Sequence, residues 1–148
     1  MRLVEEILRL RDCGKVICAV NDREASDRAL ELEDLIKIGL HHGLQGDSTL
    51  IKAISRTEAV RILNHLFAVD LAYNQEIMPF LVAEALAIKF VDLFTEPAFF
   101  ATNATFKESE KHGFGLHSWS PLTTATFDAG VLCASQSRAG LFWVEDED

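Results

Sequence analysis

Residues 124–145 read TATFDAGVLCASQSRAGLFWVE, and this stretch decides the fold class. Two segments rich in apolar and β-favouring residues, 124–135 and 140–145, flank the four small or polar residues 136–139. Such a pattern is typical of a β-hairpin with a short loop. The sequence therefore predicts an antiparallel hairpin here, and residues 114–119 form a candidate third strand.

Upstream of the hairpin, the apolar residues recur with a helical period. Ser55 and Glu58 form a capping-box pattern, which predicts a helix over about 56–73. A second helix is expected over about 75–95, with Pro79 in its first turn. The short link predicts that this pair is antiparallel. Helices first and strands last indicate an α+β domain, in which N-terminal helices pack on a small C-terminal antiparallel sheet.

The first fifty residues carry two further helical patterns, at residues 3–10 and 25–40. Between them, Val16–Val20 is a short apolar run that suits either a strand or a continuation of the first helix. A chain of 148 residues suits a single domain over residues 1–148. The last four residues, 145–148, predict a short acidic tail.

Composition indicates a cytoplasmic protein. The most apolar stretch contains Glu84, Lys89 and Asp92, and each would cost about 2.5–3.5 kcal/mol near the centre of a bilayer. The first ten residues include charged side chains, so they lack the apolar core of a secretory signal. The three cysteines have no CxxC spacing and suit a reducing compartment. We therefore expect no membrane contact.

The formal charge of −9 is concentrated in two segments. Residues 22–34 contain six acids and two arginines, a local charge of −4, and residues 145–148 add another −4. The lack of a basic segment argues against nucleic-acid binding. The acidic segments either attract a basic protein partner or a cationic small molecule, or are simply solvated surfaces.

The sequence contains no motif for catalysis, metal binding or phosphate binding that names a function. His112 and His117 are five residues apart, which places them on opposite faces of a strand. GxSxG, CxxC and HExxH spacings do not occur. We therefore predict no metal ion, no cofactor and no catalytic residue.

Two carboxylates lie where helical geometry predicts an apolar surface. Asp70 shares a stripe with Phe67, and Glu84 shares one with Ile88. A carboxylate in such a place must be paired, hydrogen-bonded or protonated. These residues are either structural, with Glu84 at the level of Arg61, or pocket carboxylates able to act as acid/base groups or to bind a cation.

The hairpin offers a second candidate site. With a four-residue loop, Asp128 pairs with Glu147 and Gly130 with Glu145, and Trp143 packs over Gly130. The three carboxylates then share one face, where they either hold Mg²⁺ or Ca²⁺ or form a frayed acidic end in water.

Apolar residues lie on both faces of the second hairpin strand. Leu141 and Trp143 face one side, whereas Phe142 and Val144 face the other. Such a strand is either central in a sheet or part of an interface. Because a small domain has difficulty covering both faces, we predict a homodimer that buries aromatic surface from this end.

Two hypotheses of function follow. The favoured one is a non-catalytic binding protein for a basic protein partner or a cationic small molecule. The alternative is a small enzyme that uses Asp70 and Glu84 for acid/base chemistry. The residues predicted to contribute to binding are Glu84, Asp70, Trp119, Asp128 and Trp143.

Overall fold

The computed structural model describes residues 1–108 and 114–147. Within them lie four α-helices, a short 3-10 helix, a five-stranded antiparallel sheet and a two-stranded ribbon. His112 and Asp148, which entered the predictions above, lie outside the described residues. The predicted α+β class is confirmed. In chain order the elements are α1 (Arg2–Leu10), β1 (Lys15–Asp22), α2 (Leu32–His41), the 3-10 helix (Ser48–Leu50), β2 (Lys52–Ile54), α3 (Arg56–Ala68), α4 (Phe80–Val91), β3 (Ala98–Thr102), β4 (Ala104–Lys107), β5 (Gly115–Trp119), β6 (Phe127–Ser135) and β7 (Arg138–Asp146).

The main sheet has the strand order β1-β7-β6-β3-β2, so strands from both ends of the chain pair with each other. The run Val16–Val20 belongs to β1, which pairs with β7 along its whole length, from Lys15 opposite Glu145 to Asp22 opposite Arg138. The prediction of a small sheet confined to the C-terminal part is therefore wrong. Long-range pairing made a strand of β1, and a local period does not report such pairing.

The central strands β6 and β7 are covered on both faces by the chain itself. On one face, Val131 and Phe142 pack in a core with residues of α1, α3 and α4. On the other face, Leu141 and Trp143 pack against Leu35 of α2. The predicted division of apolar residues between the two faces is confirmed, and one chain is enough to bury both.

The connection between β6 and β7 is shorter than predicted. Only Gln136 and Ser137 join the strands, so Gly130 lies opposite Trp143 and Asp128 lies opposite Glu145. The register differs from the prediction by two residues, which keeps every side chain on its predicted face. A Cβ added at Gly130 would lie 2.4 Å from the Trp143 ring, so the predicted packing of Trp143 over Gly130 requires this glycine.

The first helix of the pair begins as predicted, and both helices are shorter than predicted. The Ser55 hydroxyl accepts a hydrogen bond from the Glu58 N–H, and the Glu58 carboxylate accepts one from the Ser55 N–H, both at 3.1 Å. These bonds start α3 at Arg56, whereas α3 ends at Ala68 and α4 spans only Phe80–Val91. None of the helices in residues 1–108 and 114–147 combines the length and hydropathy that a bilayer crossing needs.

Two other elements differ from their predictions. The helix expected over residues 25–40 is confined to Leu32–His41, because residues 23–31 form an extended loop instead. The candidate strand at 114–119 is present as β5, but it pairs with β4 in the separate ribbon and not with the hairpin.

The predicted acidic tail is largely part of the fold. Glu145 and Asp146 belong to β7, and Asp146 is buried. Its carboxylate lies 3.1 Å from the guanidinium of Arg11 and accepts the Leu71 N–H at 2.8 Å. The charge at Asp146 therefore joins the segment after α1 to the end of the last strand, and it is not available to a partner.

Candidate functional site

Asp128 lies at the centre of a buried hydrogen-bond network. Its carboxylate accepts the backbone N–H groups of Leu122 and Thr123 at 2.8 and 2.7 Å, and the Thr123 hydroxyl at 2.9 Å. Asn103 Nδ2 and Trp143 Nε1 complete the set, at 3.1 and 2.9 Å. Five donors satisfy a fully buried carboxylate. Asp128 therefore holds three segments together and does not face a ligand.

The two tryptophans lie in different environments. Trp143, one of the residues predicted to contribute to binding, is fully buried. Trp119, on β5, is half-buried and packs on Phe127, with ring centroids 5.3 Å apart. Of the two, only Trp119 retains a surface that a ligand or partner can reach.

Asn103 connects the Asp128 network to the residue that follows Trp119. Its side-chain Nδ2 donates to the carbonyl of Asp128 at 2.9 Å and to the carbonyl of Ser120 at 3.0 Å. Trp119, Asp128 and Trp143 therefore lie in one neighbourhood, as the hairpin pattern partly predicted. The sequence did not show the role of Asn103, because its partners are 17 and 25 residues away.

The three hairpin carboxylates do not converge on a cation site. Asp128 is buried in its network, and Glu145 forms an ion pair with Lys15 at 3.1 Å. Glu147 accepts the Thr126 hydroxyl at 2.5 Å. Among the residues that the structure describes, no group of three or more histidine, cysteine, aspartate or glutamate side chains could hold a metal ion.

Asp70 is buried, as predicted, and its bonds are local. It follows the end of α3, and its carboxylate accepts the backbone N–H groups of Tyr73 at 3.0 Å and Gln75 at 2.6 Å. The backbone N–H of Asn74, which has φ 58°, donates to the Asp70 carbonyl at 3.1 Å. Asp70 therefore fixes the turn that leads from α3 toward α4, which is the structural alternative considered above.

Glu84 faces solvent, so its predicted inward position is wrong. Leu81 and Ile88 share its face of α4 and are 82% and 44% exposed. The helix buries the opposite face, which carries Ala83, Leu86, Ala87 and Phe90. Arg61, expected near Glu84, instead forms an ion pair with Glu108. The helical period of this segment was identified correctly. Because α4 carries apolar residues on two faces, the sequence did not show which face packs in the core.

A groove that the sequence did not predict lies beside the loop of residues 23–31. It has a volume of about 280 Å³, and Leu30 and Phe99 are among the apolar residues that line it. Both side chains are half-buried. The one sequence feature that could have indicated this groove is the acidic run 22–34, which contains the loop. Phe99 gave no signal, because its place beside that loop depends on the position of β3 in the sheet.

The loop is anchored to the turn between β6 and β7. The Arg23 N–H donates to the Ser137 carbonyl at 2.9 Å, and its guanidinium donates to the Ser135 carbonyl at 2.8 Å. The Ser26 N–H reaches the Gln136 side chain at 3.4 Å, and Gln136 also lines the groove. The acidic loop is thus held along one wall of the apolar groove.

The acidic segment 22–34, which contains this loop and the start of α2, carries mostly exposed acids. The exception is Asp34, whose carboxylate binds the Arg28 guanidinium through two hydrogen bonds of 2.6 and 3.1 Å. The Arg28 hydrogen bonds and the Glu31 N–H hold the pKa of Asp34 below its ordinary value. Asp34 neutralises Arg28, and Arg23 is turned toward backbone carbonyls. The exposed acids of the loop, here called its acidic rim, include Glu24 and Asp27. Glu33, in contrast, lies in α2 and accepts the Ser48 hydroxyl.

Comparison of this chain with protein-family models, with curated proteins and with solved structures found no match in any of the three.

Proposed function

We propose that this protein is a non-catalytic binding protein that recognises a basic segment of a partner protein at the Leu30–Phe99 groove. The observation that carries the proposal is the combination of an apolar groove of about 280 Å³ with an exposed acidic loop along its wall. Apolar contact supplies burial, whereas the acids select cationic partners and speed their association.

The acids of the loop are available for such a role. Glu24 and Asp27 are exposed and stand in the segment that Arg23 and Ser26 fix to the β6–β7 turn. A fixed loop loses little conformational freedom when a partner binds, so more of the interaction energy appears as affinity. The basic segment should therefore bring a leucine-like side chain to Leu30 and its lysines or arginines to the rim.

The test uses a fluorescein-labelled synthetic peptide of alternating lysine and leucine as the probe. Neutralising the rim with Glu24→Gln plus Asp27→Asn should weaken binding by about threefold to tenfold, and Leu30→Ser should weaken it by a similar factor. The matched control is Glu5→Gln plus Glu84→Gln, which removes the same charge from exposed sites on α1 and α4. Fluorescence anisotropy at two salt concentrations measures all three.

An equal loss of affinity in the control would overturn the proposal, because the peptide would then respond to net charge alone. Spermidine provides the small-molecule arm. If spermidine competes fully with the peptide and its affinity is indifferent to Leu30→Ser, the site recognises a cationic small molecule instead of a protein segment.

The enzyme and homodimer hypotheses have less support in the structure than in the sequence. The acid/base enzyme alternative rested on Asp70 and Glu84, and these are a turn-forming carboxylate and an exposed one. The homodimer remains a prediction, although its original reason no longer applies, since one chain covers both faces of β7. We keep the cytoplasm as the proposed compartment because Cys13, Cys18 and Cys133 are free thiols.

A further inference from the structure

The outward face of α4 carries a line of apolar side chains, here called the α4 seam. It consists of Leu81, Ala85 and Ile88, all of them exposed, and the leucine and isoleucine are 82% and 44% exposed. Their spacing of four and then three residues is that of the contact line in a coiled coil. Scattered apolar residues are ordinary on a surface, whereas a line of them suits contact with another helix.

Two charged residues border the α4 seam on opposite sides. Glu84 and Lys89 are five residues apart, which separates them by about 140° around the helix, with the seam between them. Both are exposed, and neither forms an ion pair with another residue in the described part of the chain. An apolar line with an acid on one side and a base on the other is complementary to a second copy of itself.

These charges also determine the relative direction of two such helices. When a twofold axis runs along a parallel pair, the acidic side of one helix faces the basic side of the other, and a residue meets the one five positions later. Glu84 then meets Lys89 of the partner subunit, and the symmetry repeats this contact. An antiparallel pair would instead place like charges on the same side, which is unfavourable.

We propose that the α4 seam binds a second copy of this chain, with the two α4 helices packed in parallel. Leu81 and Ile88 of both copies supply the apolar contact, and Ala85 between them leaves room for the helices to approach. Two ion pairs between Glu84 and Lys89, one on each side of the seam, select the parallel direction.

The α4 seam is distinct from the other surfaces considered above. Its helix belongs to the core formed with α1 and α3, whereas Leu30 and Phe99 pack with the core on the other face of the sheet. The groove proposal and this one can therefore fail independently. The seam also differs from the dimer surface that the sequence predicted at β7, where Trp143 is buried within the chain.

Sedimentation equilibrium of the full chain, up to millimolar concentration, tests the proposal. A reversible equilibrium between monomer and dimer is expected. Leu81→Ser should weaken the dimer by about tenfold or more, because each dimer loses two apolar side chains from the seam. The matched control is Leu40→Ser, at an exposed leucine of α2, which should leave association unchanged. Cooperative thermal unfolding of each variant shows that it is folded.

Charge reversal tests the direction of the helices. Glu84→Lys and Lys89→Glu should each weaken the dimer by about tenfold, because like charges then face each other on both sides of the seam. An equimolar mixture of the two variants should associate about as tightly as the unsubstituted chain, since opposite charges meet again in the mixed dimer. Net charge alone predicts the reverse for Glu84→Lys, which makes an acidic chain less negative.

Three results would overturn the proposal. The first is a folded chain that stays monomeric at millimolar concentration. The second is an equal loss of association in Leu81→Ser and Leu40→Ser, which would place the contact elsewhere. The third is a mixture of the two charge variants that associates no better than either variant alone, which would exclude the parallel pairing of Glu84 with Lys89.

Discussion

At the scale of single residues, Asp128 and Asp70 show how the hydrogen-bonding capacity of a buried carboxylate is satisfied. Asp128 receives five hydrogen bonds from three separate segments, whereas Asp70 receives two from the turn that follows it. Donated hydrogen bonds replace the water that a buried carboxylate loses. Both residues therefore stabilise the structure, and their chemical oddity in the sequence reflects that role.

We predict that Asp128→Asn lowers the free energy of unfolding by about 3 kcal/mol or more. The side-chain NH₂ group of the new asparagine cannot accept hydrogen bonds, so some of the buried groups that donate to Asp128 would lose their acceptor. Urea denaturation followed by circular dichroism measures the change. Glu147→Gln, on the exposed carboxylate that follows β7, is the control and should stay within about 0.5 kcal/mol of the unsubstituted protein. An equal, small effect of both changes would contradict the structural role of Asp128.

At the scale of elements, the start of α2 depends on the loop that precedes it. Asp34 binds the Arg28 guanidinium and also accepts the Glu31 N–H at 2.8 Å, which ties the loop to the first turn of the helix. A negative charge at this end of a helix also interacts favourably with the helix dipole. The acidic run 22–34 thus combines carboxylates that bond within the fold, namely Asp34, Glu31 and Glu33, with exposed ones such as Glu24 and Asp27.

We predict that this arrangement makes stability depend on pH on the acid side. The pKa of Asp34 is lowered in the folded protein, so its contribution is fully present above the ordinary value of 3.8 and is lost as the pH falls through the lower folded value. Asp34→Asn should therefore cost about 1 kcal/mol at pH 7 and much less at pH 2.5. Melting temperatures of both proteins from pH 2.5 to 7 measure the difference, and a gap independent of pH would contradict it.

At the scale of the whole molecule, a buried ion pair joins the two ends of the chain. Arg11 reaches Asp146 of β7, and it also donates to the carbonyls of Leu66 at 2.9 Å and Val69 at 3.1 Å. Gly14 allows this approach, since a Cβ there would overlap the Asp146 carboxylate at 1.9 Å. The pair sets the position of β1 at the edge of the sheet relative to the end of α3.

We predict that breaking this pair is more costly than replacing it. Arg11→Met or Asp146→Asn alone should lower the free energy of unfolding by about 3–5 kcal/mol, because each leaves a buried charge without its partner. The double variant should lose about 2 kcal/mol less than the sum of the single changes. A double-mutant cycle by urea denaturation measures this coupling. Strict additivity would show that the two side chains do not depend on each other.

Local features were readable from the sequence to the extent that their partners lie close by. The capping box at Ser55 and Glu58, the strand β6 and the face assignment along β7 all depend on neighbours within a few residues. The hairpin register differed by two residues because the loop length was not encoded in the hydrophobic pattern. A shift of two leaves the faces unchanged, which is why the packing of Trp143 over Gly130 survived the difference.

What the sequence by itself determined is the α+β class, the start of α3 and the alternation of apolar residues in the central hairpin, since these follow from backbone geometry and short-range bonds. Only the tertiary structure decided that α4 turns Glu84 outward, that Asp146 is buried with Arg11, and that Phe99 and Leu30 line the same groove. Each of these depends on which of several possible surfaces is covered by a distant segment. Which surface of an element is buried depends on the whole fold, because the segments that bury it lie far away in the sequence.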